Sequence, residues 1–144
     1  VAPWAAVIIG LIGGVIVVYS MNLFDRAKID DPIFALSVHG TVGVWGTLAN
    51  GLFAVPAFST EIGWGQAGLF YGGGFTQLGV QTVGVVASGL YAFVVAFIIL
   101  KVMDKVIGGI RVSEEEEIVG LDLSEHGGYG YPENIPHPEE QRGA

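Results

Sequence analysis

The chain has 144 residues, of which 51% are hydrophobic and only 14% are charged, whereas soluble domains carry about 25% charged residues. Its net charge of −8 argues against nucleic acid as a partner, and the absence of cysteine excludes disulfides and Cys-ligated metal sites. Residues 1–100 hold six charged side chains, and the last 44 residues hold fourteen. The sequence therefore predicts an all-α membrane helix bundle at 1–110, a polar tail at 111–131 and a disordered end at 132–144.

The first predicted span, residues 1–21, contains no charged side chain, and about 20 apolar residues suffice to cross the hydrocarbon core. Pro3 suits the first helical turn, where a missing N–H is tolerated. The chain opens directly into this span, without a starting Met or a signal-peptide pattern. We expect it to be a fragment of a longer protein, because three helices do not easily enclose a polar group inside a membrane.

The second predicted span, residues 32–54, follows two carboxylates. Asp31 before Pro32 is typical of a helix N-cap followed by the first helical position. A carboxylate that acts at the mouth of a pore is the alternative interpretation of Asp31. A loop rich in glycine and aromatic residues follows at 56–74.

One histidine, His39, lies near the middle of the second span, and an ionisable residue at membrane depth marks a functional site by default. It could hydrogen-bond across a helix interface, contact a substrate or relay protons in a conduit, or ligate haem in an electron-transfer subunit. The haem interpretation needs a second histidine at membrane depth, whereas His126 and His137 lie in the tail. Three glycines are expected to let neighbouring backbones approach closely here: Gly40, Gly43 and Gly46.

The third predicted span, residues 75–107, ends at Gly108-Gly109, a pair typical of a helix C-cap. Such a helix would be roughly 50 Å long against a hydrocarbon core of roughly 30 Å, so we expect its end to project into water. Basic residues lie between spans one and two and after span three, and none lies in the loop at 56–74. The positive-inside rule therefore predicts a cytoplasmic first loop and a cytoplasmic C-terminus.

The tail begins with a capping-box pattern, in which Ser113 is followed three residues later by Glu116. This spacing predicts a short acidic helix, and Asp122 with Glu125 repeats it. We expect two short ordered turns that dock on another surface. Two glycines punctuate these turns: Gly120 and Gly127.

Several of these stretches together resemble the ammonium transporter family (Amt/Mep/Rh). Residues 30–32 and 38–47 (DDP and VHGTVGVWGT) resemble the tenth spanning helix of that family. Residues 68–74 and 78–81 (GLFYGGG and LGVQ) resemble its last loop and eleventh helix. Residues 111–116 and 120–127 (RVSEEE and GLDLSEHG) resemble its cytoplasmic tail.

The resemblance implies an eleven-helix protomer, of which this chain would supply the last three helices, in a homotrimer of the cell (inner) membrane. In that family two histidines, from the fifth and tenth helices, face each other in a narrow apolar pore. His39 falls on the tenth-helix member of the pair. The implied function is transport of ammonium or ammonia without enzymatic activity, cofactor or metal, and an ammonium sensor or scaffold without transport is the alternative.

The tail resembles the regulatory segment of the family, which docks on the cytoplasmic face of the neighbouring subunit. In bacteria and archaea, PII-type signalling proteins bind this face. Ser124 matches a position that is a phosphorylatable threonine in plant members, although its default role in this sequence is structural. The resemblance implies a regulatory role for five residues of the tail: Gly120, Asp122, Ser124, His126 and Gly127.

Overall fold

The computed structural model describes residues 1–63 and 65–131, and every regular element in these residues is helical. The elements are α1 (Pro3–Arg26), a π-helix (Leu36–Thr41), α2 (Val42–Phe53), α3 (Pro56–Ile62), a 3-10 turn (Leu69–Tyr71), α4 (Thr76–Ile107), α5 (Glu114–Val119) and α6 (Leu121–His126). The chain divides into two compact units, one ending at Phe93 and one beginning at Val94. The predicted disordered end at 132–144 lies outside the described residues.

Two helices, α1 and α4, are long and apolar enough to cross a membrane. The helix α1 continues to Arg26, beyond the predicted end of the first span, whereas α4 starts and ends close to the predicted third span. Large apolar side chains along both helices are exposed, including Leu11, Val83 and Tyr91. A helix that is apolar on all sides belongs in a protein core or a membrane. Because these side chains are not in a core, the two helices fit a membrane protein.

The helical backbone of the second predicted span begins later than the sequence suggests and changes type along its length. A turn comes first, closed by the Phe34 N–H, which donates to the Asp31 carbonyl oxygen at 3.0 Å. Phe34 has a φ of +56°, which is uncommon for a residue other than glycine. The π-helix and α2 then follow each other directly, ending at Phe53. We call the two together the His39 helix.

Small residues bring α1 and the His39 helix together as an antiparallel pair. Ala5 and Ala49 are completely buried between them. The Trp45 Nε1–H donates to the Ile9 carbonyl oxygen at 3.0 Å. A Cβ on Gly13 would lie 3.3 Å from the Val42 Cγ1, which is tighter than an ordinary contact. The absence of a side chain at Gly13 therefore leaves room for Val42 of the His39 helix to pack against α1.

The backbone at the end of α2 comes very close to the backbone at the start of α4. A Cβ on Gly51 would lie only 2.6 Å from the Leu78 Cα. The Phe53 ring then makes edge-on contacts with Trp4 and Phe70, at centroid distances of 6.2 Å and 4.9 Å. These aromatic contacts join the start of α1, the end of α2 and the 3-10 turn.

The second unit contains the end of α4 and the two short helices of the tail. The N–H groups of Gly108 and Gly109 donate to the Asp104 carbonyl oxygen at 3.1 Å and 2.9 Å, and both glycines have positive φ. This geometry confirms the predicted C-cap. At the start of α5, the Ser113 hydroxyl accepts from the Glu116 N–H, and the Glu116 carboxylate accepts from the Ser113 N–H. The predicted capping box is therefore confirmed.

The close approach at Gly51 predicts a strong effect of a single methyl group. We expect Gly51→Ala to destabilise the complete protein by about 1–3 kcal/mol, because the added Cβ overpacks the contact with α4. The matched control is Gly10→Ala in the interior of α1, where a Cβ would meet no described atom within 4 Å. Thermal unfolding in detergent measures both variants. Equal unfolding midpoints for the two variants would contradict the close approach.

The capping box predicts an acid-sensitive start of α5. Hydrogen bonds from the Ser113 N–H and hydroxyl lower the pKa of Glu116 below its ordinary value, against a smaller desolvation effect that raises it. A carboxyl group with a lowered pKa contributes stability that is complete above its ordinary pKa and is lost as the pH falls through the lowered value. We therefore expect hydrogen-exchange protection of α5, corrected for intrinsic rates, to fall over this acidic range.

The test of this pH dependence uses Glu116→Gln, which keeps a capping-box side chain but cannot titrate. We expect it to remove the acid-dependent loss of protection, whereas Glu115→Gln leaves that loss in place. If Glu116→Gln loses protection over the same pH range as the wild type, another group controls the start of α5.

Candidate functional site

His39 lies inside the π-helix, Leu36–Thr41. This helix type is rare and occurs frequently at functional sites. The imidazole is exposed, and it makes no hydrogen bond to any residue in the described part of the chain. Among these residues, nothing occupies its two ring nitrogens.

The imidazole opens onto a cleft of about 440 Å³ between the His39 helix and α4, within the first unit. The side chains that line this cleft are mostly small or apolar, and we call it the His39 cleft. Three polar side chains line it: His39, Thr47 and Ser88. The remaining lining residues are Gly40, Gly43, Val44, Val85, Gly89 and Ala92.

Both hydroxyl groups of the His39 cleft already donate their hydrogens to backbone carbonyl oxygens of their own helices. Thr47 Oγ1 donates to the Gly43 carbonyl oxygen at 2.9 Å, and Ser88 Oγ donates to the Gly84 carbonyl oxygen at 2.7 Å. A hydroxyl has one hydrogen to donate, so each oxygen is left as an acceptor. A neutral imidazole donates from one nitrogen and accepts at the other. The cleft therefore suits a small molecule that is mainly a hydrogen-bond donor.

Sequence reasoning did not single out Ser88 as a site residue. The available signal was a hydroxyl within the long apolar stretch of α4, but such a hydroxyl usually bonds its own helix backbone. Its position in the same cleft as His39 follows only from the packing of α4 against the His39 helix.

The Asp31 carboxylate lies at the start of the His39 helix. Its Oδ1 accepts from the Leu36 N–H at 3.0 Å, and its Oδ2 accepts from the N–H and the hydroxyl of Ser37, each at 3.0 Å. The first amides of a helix have no partner within the helix, so the carboxylate supplies the acceptors they lack. Partial desolvation raises the pKa of Asp31, but the hydrogen bonds together bring it below its ordinary value. The side chain reaches these amides across the intervening turn, and not from the residue just before the helix.

The three glycines near His39 leave their side-chain positions open towards other helices in the described part of the chain. Gly40 and Gly43 line the His39 cleft, and Gly46 lines a separate groove towards α1. A Cβ on Gly43 or Gly46 would meet no described atom within 4 Å, and one on Gly40 would meet the Leu36 Cδ1 of its own helix at 3.0 Å. Their packing role therefore stays a prediction.

In the tail, Gly120 separates α5 from α6 with a φ of +101°. A Cβ on Gly120 would lie 2.7 Å from the Asp122 Oδ1. The repeated capping box at Asp122 and Glu125 does not form, because α6 begins at Leu121 with Gly120 as its N-cap and no side-chain cap bond. The Asp122 Oδ2 accepts instead from the Gly130 N–H at 2.9 Å, and thus holds the chain after α6 against this helix.

The other tail residues lie on or directly after α6. Gly127 ends the helix in the left-handed conformation, with a φ of +71°. Ser124 lines a small groove between α5 and α6, and its side chain is exposed. His126, the second histidine among the described residues, is exposed at the last helical position.

The comparisons with known proteins agree on one family. Residues 1–131 match the sequence model of the Ammonium Transporter Family. The chain is 36% identical over 136 residues to the ammonium transporter of Bacillus subtilis, covering 94% of this chain and 32% of that protein. It is 40% identical over 136 residues to ammonium transporter Amt2 of Archaeoglobus fulgidus, covering 92% of this chain and 28% of that protein.

A plant relative, ammonium transporter 1 member 1 of Arabidopsis thaliana, is 34% identical over 138 residues, covering 91% of this chain and 27% of that protein. The chain thus spans between 27% and 32% of the length of these three relatives. No solved structure matches it significantly. The family match over 131 residues, together with two exposed helices long enough to cross a bilayer, shows that the chain is a membrane protein of the ammonium transporter family.

Proposed function

We propose that the complete protein moves ammonium or ammonia across the cell membrane through a pore to which this chain contributes His39. The observation that carries the proposal is the exposed imidazole in a π-helix, without a hydrogen-bond partner in the described residues and open to a cleft lined by small side chains. Family membership supports the choice of substrate, because the relatives are named ammonium transporters.

The mechanism follows from the cost of moving a charge into apolar surroundings. Ammonium would lose its hydration in such a pore at a large free-energy cost, whereas neutral ammonia would lose far less. The pore therefore favours loss of a proton at its mouth. In this mechanism, His39 contacts the conducted molecule and helps to relay the proton. The acceptor oxygens of Thr47 and Ser88 suit an N–H donor in the same cleft.

We further propose a topology of three spans, in which the His39 helix is the second and the segment 56–74 faces the outside. The helix from Leu36 to Phe53 is at the short end of the length that crosses a bilayer. The antiparallel pairing of α1 with this helix supports opposite directions for the first two spans. A cytoplasmic C-terminus then follows from the positions of the basic residues.

The proposed assembly is a homotrimer, in which further helices of the protomer pack against Gly40, Gly43 and Gly46. The tail regulates conduction by docking on a neighbouring subunit, and a PII-type signalling protein is its proposed cytoplasmic partner. The ordered turn built by Gly120 and Asp122 supports a tail with a defined surface. The relatives' names favour transport over the haem-bearing subunit and over a sensor or scaffold.

The role of His39 is tested by His39→Ala in the complete protein. We expect uptake of labelled methylammonium into liposomes to fall on the order of tenfold or more, because removal of a group that handles protons typically costs 10²- to 10⁴-fold in rate where that step is limiting. The control is Val38→Ala, the neighbouring position in the π-helix, which lines the groove towards α1. Unchanged uptake by the assembled His39→Ala protein would overturn the pore role.

The regulatory role of the tail is tested by Gly120→Asp. Any side chain there is strained by the positive φ, and a carboxylate would also meet the Asp122 side chain. We expect uptake to be blocked although the substitution is far along the chain from His39. The matched control is Gly128→Asp, which adds the same charge where a Cβ has open space and φ is not positive. If both variants transport as the wild type does, the tail is a passive extension.

A further inference from the structure

We infer that Asp31 is a positioning residue for His39, because its carboxylate sets the start of the π-helix that presents the imidazole to the His39 cleft. This inference rests on the proposed function, in which His39 is the pore histidine. It goes beyond helix capping, since it assigns to Asp31 an effect on the rate of transport that is exerted through a second residue.

Both oxygens of the Asp31 carboxylate accept hydrogen bonds from the start of the π-helix. Oδ1 binds the Leu36 N–H, and Oδ2 binds both the N–H and the hydroxyl of Ser37, all at 3.0 Å. Leu36 and Ser37 are the first two residues of the π-helix, and His39 is its fourth. The carboxylate is therefore anchored two residues before the imidazole.

The burial of Ser37 makes the Asp31 carboxylate difficult to replace by water. Ser37 is completely buried, with 0% of its surface exposed. A buried N–H that loses its acceptor carries the desolvation cost of an unpaired polar group. Without the Asp31 carboxylate, the Ser37 amide can regain an acceptor only if the backbone around it moves.

Asp31 also holds a strained turn from both sides. Its carbonyl oxygen accepts from the Phe34 N–H at 3.0 Å, while its side chain binds the next turn of the chain. Phe34 has the unusual φ of +56°, and its own carbonyl oxygen accepts from the Val38 N–H at 2.8 Å. Strained conformations persist only where their surroundings fix them. Loss of the carboxylate releases this turn, and a change from π- to α-helical winding would rotate His39 about the helix axis.

The experiment compares three variants of the complete protein in liposomes. Asp31→Asn keeps the shape of the side chain but offers one acceptor oxygen, and its NH₂ group cannot accept a hydrogen bond. Ser37→Ala removes only the hydroxyl bond. Asp30→Asn is the matched control, because it removes the same charge from the adjacent residue, whose side chain makes no hydrogen bond in the described residues.

Two measurements are made on each variant that assembles as the wild type does by size-exclusion chromatography. The first is the rate of methylammonium uptake, and the second is the set of ring ¹⁵N signals of His39, assigned in NMR spectra by their loss in His39→Ala. We expect Asp31→Asn to shift or broaden the His39 signals and to reduce uptake on the order of tenfold, because misplacement of a functional group lowers rates steeply. Ser37→Ala changes both in the same direction but less, and Asp30→Asn changes neither.

The outcomes separate this inference from the proposed function. Wild-type uptake and unchanged His39 signals in Asp31→Asn overturn the positioning role, and so does a loss of uptake with unchanged His39 signals. If Asp31→Asn does not assemble, Ser37→Ala decides the question by the same two measurements. A wild-type protein that takes up no methylammonium contradicts the proposed function instead, whatever the variants do.

Discussion

In the proposed site, the hydrogen bonds between the Asp31 carboxylate and the amides of Leu36 and Ser37 are the interaction on which the position of His39 depends. In apolar surroundings every backbone N–H needs an acceptor, and a helix cannot supply one for its own first residues. Here the acceptor is the carboxylate of Asp31, which precedes the turn at Phe34. The π-helix can therefore begin shortly after Phe34, which has a left-handed backbone conformation. We propose that the position of His39 over its cleft depends on that start.

Around this anchor, the first unit is built by close backbone approach, with few large buried side chains. Gly13 leaves room for Val42 against α1, the Trp45 indole donates to the Ile9 carbonyl oxygen, and Gly51 allows α2 to approach α4. The His39 cleft stays open between these contacts. Its two hydroxyl groups donate to backbone carbonyl oxygens, and the imidazole has no hydrogen-bond partner within the described residues. The chain spans 27% to 32% of the length of these relatives, and we propose that further helices of the complete protein line the rest of the site.

Local patterns allowed part of this structure to be predicted from the sequence. The helices α1 and α4 followed from long apolar stretches, and the ends at Gly108 and Ser113 followed from cap patterns that act over three or four residues. Interactions over longer distances were not predictable in this way. The bond from Gly130 to Asp122 and the shared cleft of Ser88 and His39 both depend on groups that the fold brings together. The repeated spacing at Asp122 misled for the same reason, since its carboxylate binds a residue after the helix and not one at its start. The turn at Phe34 is local, but its positive φ at a phenylalanine has no signal in the sequence.

The most direct test of the central claim, that His39 lines the conducting path, is a high-resolution structure of the complete protein in an ammonium salt. The account predicts that the imidazole faces a narrow conduit and that non-protein density lies within hydrogen-bonding distance of one of its ring nitrogens. An imidazole enclosed by protein, with both nitrogens bonded to neighbouring helices and no conduit beside it, would contradict the account and make His39 a structural residue.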